Sequence, residues 1–303
     1  MSTPTTPTTP APTVPLPTRV LTTKPTAPAT PTLARPVSMS ALKLNSKSRL
    51  LLLGAPGSGK TVIGCMMPRP IIFDLDNNIE GPVRYVQQNN LLTNADMENI
   101  IIVRPFLDAD GNLLRRADRW QALGRAITFY LKEYPDCQTI FLDSFTALIT
   151  AAKDEVRRQE KLYIAEGELG DDKMAQKSID DVLRIQDWGS FATLLEQFLI
   201  RLTAKNKFVC VTGHIKDEEV GKDTGVVKTY INCPGETREK IAGSFDECWL
   251  ISRDVTGLGA SAVSNVLITT AAGGSKSPLG LKSAKQVGAQ VKVNLATVRG
   301  WFQ

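Results

Sequence analysis

Between residues 46 and 255, short apolar runs alternate with amphipathic stretches. That is the pattern of a mostly parallel β-sheet covered by helices on both faces. Runs of apolar and β-branched residues bounded by turn formers predict strands at 49–53, 71–73, 100–103, 139–142, 207–211 and 247–252. Helical spacing predicts helices over 59–67, 83–89, 117–134 and 236–242. A helix-rich, strongly charged stretch runs from Thr146 to about Leu202, interrupted at 167–170. Pro68 and Pro70 stop the first helix after barely two turns, because proline offers no amide donor and clashes with the preceding turn. Val220 and the run 226–231 flank the turn-forming 221–225, which predicts a β-hairpin. Farther on, 263–270 and 291–295 are candidate strands around Gly273-Gly-Ser-Lys276 and extend the sheet.

Composition adds a second region. Residues 2–36 are mostly Thr, Pro and Ala, with little apolar surface to offset the entropy of ordering, so a disordered leader is expected. The chain therefore divides into a leader at 1–45, an α/β core at 46–255 and a C-terminal β-rich extension of the core sheet at 256–303. No stretch approaches the roughly 18 apolar residues needed to span a membrane. The N-terminus has no apolar segment of the secretory type. Five cysteines with no C-x-x-C spacing point to reduced thiols and a cytoplasmic location.

Charge is unevenly spread. Arg19, Lys24, Arg35 and Lys43 stand in residues 1–45 without an acid, and Lys276, Lys282, Lys285, Lys292 and Arg299 stand in 255–303 without one. The net +5 thus conceals an acidic middle. Basic ends suit an acidic partner such as nucleic acid, or serve only solubility.

The chemistry centres on Gly54-Ala55-Pro56-Gly57-Ser58-Gly59-Lys60-Thr61, which follows a strand, opens a helix and fits G-x-x-x-x-G-K-[ST] at every fixed position. Glycines let several amides converge on one phosphate, Lys60 meets the β/γ-phosphates, and the Thr61 hydroxyl is placed to ligate Mg²⁺. Asp143 closes an apolar strand, where open α/β sheets bind ligands, and is the expected metal acid. Hydrolysis also needs a carboxylate to orient water. Asp76 is the first choice and Asp74 the second, both at the end of the next strand, with an Asx-type turn as the alternative use. His214, the single histidine, lies just past strand 207–211 and either senses the γ-phosphate or is structural. No Asn-Lys-x-Asp guanine element is present, which favours adenine.

These motifs resemble the phage nucleotide-binding proteins with a RecA-like core, linked to single-strand annealing and recombination. The likeness lies in the P-loop with its short helix and Met67-Pro-Arg-Pro-Ile-Ile-Phe-Asp-Leu-Asp76, in Ile140-Phe-Leu-Asp-Ser-Phe-Thr-Ala147, in Val211-Thr-Gly-His214 and in 236–249. It covers about residues 48–255 and implies a RecA-like P-loop fold, with ATP and Mg²⁺ as ligands. Asp76 falls where RecA-like ATPases carry a catalytic glutamate; being one methylene shorter, it implies slow hydrolysis. The likeness also implies single-stranded DNA binding, through 157–177 and through the hairpin with Lys216, Lys222 and Lys228. A ring or filament of identical subunits is implied too, with Arg238, Lys240 or Lys276 completing a neighbour's site. A single-strand-binding or annealing protein is a further implied partner. Two other readings are a nucleotide-gated scaffold without significant turnover and a phosphotransferase using Arg115, Arg116 and Arg119.

Overall fold

A computed structural model describes residues 48–167, 183, 187–219, 227–234, 237–255, 263–268, 282–283, 290–292 and 295–301. The predicted leader, residues 168–170 of the predicted interruption and the hairpin turn 221–225 lie outside these.

The four leucines of Leu50-Leu-Leu-Leu53 form the heart of strand β1 (Arg49–Gly54), and none is more than 1 % exposed. Burial of such side chains stabilises by about 2 kcal/mol each, so this strand belongs at the sheet's centre. Helix α1 (Lys60–Met66) leads to β2 (Pro70–Asp74), α2 (Glu80–Gln88), α3 (Asn94–Glu98) and β3 (Ile101–Val103). Next come α4 (Arg116–Glu133), β4 (Thr139–Asp143), α5 (Phe145–Gly167) and α6 (Asp187–Thr203). Strand β5 (Phe208–Glu219) runs on into a hairpin with β6 (Val227–Ile231), followed by α7 (Thr237–Ile241) and β7 (Glu247–Val255). Strands β8 (Val263–Ile268), β9 (Lys282–Ser283) and β10 (Gln290–Lys292) and helix α8 (Leu295–Gly300) complete the described elements.

Six strands in the order β7-β1-β5-β4-β2-β3 are parallel. Strands β8 and β9 pair antiparallel with β7, and β10 with β8. This is the mostly parallel α/β sheet, flanked by helices, that the alternating pattern predicts. Alternation along the strands sorts the core into two faces. Leu51, Leu53, Phe73, Leu142 and Val211 meet residues of α4, α5 and α6 on one side. Leu50, Leu52, Ile72, Phe141 and Cys210 meet α1, α2 and α8 on the other. Among the described residues no helix is long and apolar enough to cross a membrane.

Three local differences from the sequence pattern have physical causes. The five-residue α3 was not anticipated; a capping box between Thr93 and Asp96 supports it. The candidate strand 291–295 divides, with β10 ending at Lys292 and α8 starting at Leu295. Tertiary burial favours that helix: Val298 and Trp301 bury together against the α1 face, and Trp301 packs edge-on against Trp249 at 4.7 Å. Finally, β2 ends at Asp74, so Asp76 stands in a bend past the strand and not two residues along it.

Candidate functional site

The P-loop owes its shape to backbone conformations that side chains resist. Gly57 (φ 70°) and Gly59 (φ 95°) are left-handed, and Gly59 caps the N-terminus of α1. Lys60 is 5 % exposed, and its ammonium donates to the Gly54 and Ala55 carbonyls, each at 2.9 Å. Removal from water lowers its pKa to about 8, against the pull of Asp143 and Asp76 toward the charged form. Ser58 Oγ is buried in the same loop and has no hydrogen-bond partner among the described residues.

Sheet order decides what faces this loop. Strand β5 separates β1 from β4, so the ends of β1 and β4 flank Thr212 and His214, midway along β5. The Thr61 hydroxyl nevertheless reaches Asp143, donating to Oδ2 at 2.5 Å. Close packing of α1 on the sheet permits that reach: a Cβ on Gly64 would lie 2.4 Å from the Phe141 ring. Thr212 of β5 donates to the other carboxylate oxygen, Asp143 Oδ1. The Asp143–Ser144 peptide bond is cis.

His214 stands opposite Gly54 in the β1–β5 register, and its ring donates to the Gly54 carbonyl that Lys60 also holds. Burial lowers its pKa, with the Lys60 charge adding to the effect and Asp76 and Asp143 opposing it. The imidazole is therefore neutral at neutral pH. Asp76 is partly open to solvent, yet the protein crowding its carboxylate raises its pKa; the Ser144 hydroxyl donates to it and partly offsets that rise. Asp143, His214 and Lys60 all act on it electrostatically. The structure thus brings Lys60, Thr61, Asp76, Asp143 and His214 together.

Asp74 does something else. It is fully buried, accepts from the Asn78 and Ile79 amides at 3.1 and 3.2 Å and lies 3.5 Å from Arg104. The turn after β2 occupies this carboxylate, which corrects its placing as an alternative water-orienting group. The three arginines a phosphotransferase would use are also engaged. Arg115 pairs with Asp118 at 2.8 Å, Arg116 with Asp154 at 3.0 Å, and Arg119 donates to the Leu114 carbonyl. Arg157 pairs with Asp154, and Lys216 lies 3.4 Å from Glu218. Arg238 pairs with Glu218 at 2.9 Å and stacks on Tyr230 at 4.0 Å. Lys222 and Lys276 lie outside the described residues.

Sequence reasoning missed Thr212 and the part played by Ser144. Both follow apolar strand runs at the edge where ligands bind, and a hydroxyl at the end of such a run was the available signal. The donor set fits a magnesium nucleotide. The loop offers an ammonium resting on carbonyls, an unpartnered buried hydroxyl and a left-handed glycine pair for an anion. Thr61 and Asp143 offer the hard oxygens that Mg²⁺ prefers.

The family described as AAA domain matches residues 46–272. Among solved structures, the chain is similar to a KaiC-like protein from the hyperthermophilic archaeon Pyrococcus horikoshii OT3. That match has 12 % identity and a TM-score of 0.39, over 76 % of this chain and 81 % of that one. No curated protein matches.

Proposed function

Because the chain belongs to the AAA domain family, we propose that it is a Mg²⁺-dependent ATPase of a phage DNA recombination or replication system. It binds single-stranded DNA as a homo-oligomer, in the cytoplasm. The observation that carries the ATPase reading is the convergence of Lys60, the Thr61–Asp143 pair, Asp76 and His214 at one sheet edge.

In this reading residues 54–61 hold the phosphates, and the Lys60 ammonium exchanges its carbonyl partners for phosphate oxygens. Thr61 and Asp143 would hold Mg²⁺, which when bound neutralises phosphate charge. Asp76 orients the attacking water, its raised pKa making it a better base than an ordinary carboxylate. His214 sits where a γ-phosphate would be felt, and β5 continues from it directly into the hairpin. That continuity supports a route from nucleotide state to a DNA-binding hairpin. The phage and DNA parts of the reading draw support from the motif resemblance.

A nucleotide-gated scaffold is the second reading, favoured by the Ser144 hydrogen bond that engages the short Asp76 carboxylate. Single-stranded DNA binding with ATP at low salt separates the parts of the proposal. Binding that weakens steeply as salt rises is expected, and no binding under those conditions overturns the DNA part.

A further inference from the structure

Strand β5 lies between the P-loop strand and the strand bearing Asp143. The register sets Val211 beside Leu142, so Thr212 and Asp143 follow at the same level. Thr212 is fully buried, and Asp143 is 5 % exposed. The two carboxylate oxygens have separate hydroxyl donors: Thr212 Oγ1 on Oδ1 and Thr61 Oγ1 on Oδ2. Thr61 stands in the first turn of α1, and its hydroxyl can donate to Asp143 while offering a lone pair to a cation. Thr212 belongs to the sheet and its hydroxyl is fixed with it.

We propose that Thr212 is the positioning residue for Asp143, locking the carboxylate so that Oδ2 stays aimed at Thr61 and at Mg²⁺ held there. This inference rests on the magnesium–nucleotide reading above. Replacing the hydroxyl by a methyl of similar shape leaves Oδ1 buried without its donor, which is costly for a charged oxygen. The carboxylate is then free to rotate, which weakens it as a metal ligand. Groups that orient metal ligands matter in this way although they never touch the ion.

The test is equilibrium binding of a fluorescent ATP analogue, titrated with Mg²⁺ and repeated in EDTA. Wild type is compared with Thr212→Val, Thr212→Ala and Thr212→Ser. In the Val and Ala variants the Mg²⁺ concentration giving half the affinity gain rises about 10- to 100-fold, while Thr212→Ser stays within about twofold of wild type. Binding in EDTA is alike in all four. Ala and Ser both lack the methyl and differ in the hydroxyl, so that pair decides the matter even if Thr212→Val folds poorly. A wild-type Mg²⁺ midpoint in the hydroxyl-free variants, or a Ser variant as impaired as Ala, overturns the inference alone. A wild type whose nucleotide affinity ignores Mg²⁺ overturns the magnesium reading itself, and this inference with it.

Discussion

Lys60 is buried with its ammonium on two carbonyls, and its pKa falls to about 8. A bound phosphate favours the charged form, so binding at higher pH must draw a proton onto the amine. Nucleotide affinity is therefore level below pH 8 and falls about tenfold per pH unit above it. Isothermal titration across pH 7–10 checks this, with proton uptake read from buffers of different ionisation heat. The two aspartates past β2 separate by phenotype. Asp74→Ala leaves the Asn78 and Ile79 amides without their acceptor and costs about 1–3 kcal/mol of stability in thermal melts. Asp76→Asn melts like wild type and loses about 100-fold or more in ATP turnover. Residue types alone could not distinguish these acids. Their roles follow from where β2 stops, and strand ends are set by tertiary pairing: Asp74 lies opposite Asp143 in the ladder, and Asp76 lies beyond it.

Helix α1 matters through its closeness to the sheet. Gly64 faces the Phe141 ring with no room for a side chain, and this packing lets Thr61 meet Asp143. Gly64→Ala gains helix propensity but forces apart two buried groups. A net loss of about 1–3 kcal/mol is expected, relieved in part by Phe141→Leu; denaturant melts of the single and double variants measure both. The parallel strands and the P-loop helix were legible in the sequence because their signals are local: apolar runs, glycines and the prolines at 68 and 70. Helix α8 was not. Its stability comes from Val298 and Trp301 burying against distant elements, and no short window of sequence contains those partners.

Across the molecule, the strand order turns separate motifs into one site. A P-loop on β1, an acid on β4 and a histidine on β5 meet because β5 lies between the other two. Order among parallel strands depends on crossovers, so the sequence offered the candidate residues without showing that Thr212 would meet Asp143. The central claim is that this edge binds and hydrolyses ATP. Phosphate release from Mg²⁺–ATP, compared between wild type and folded Lys60→Ala with and without single-stranded DNA, tests it most directly. The account predicts turnover by wild type that DNA accelerates, and a loss of about 100-fold or more in the variant. Equal turnover by the two proteins would contradict it.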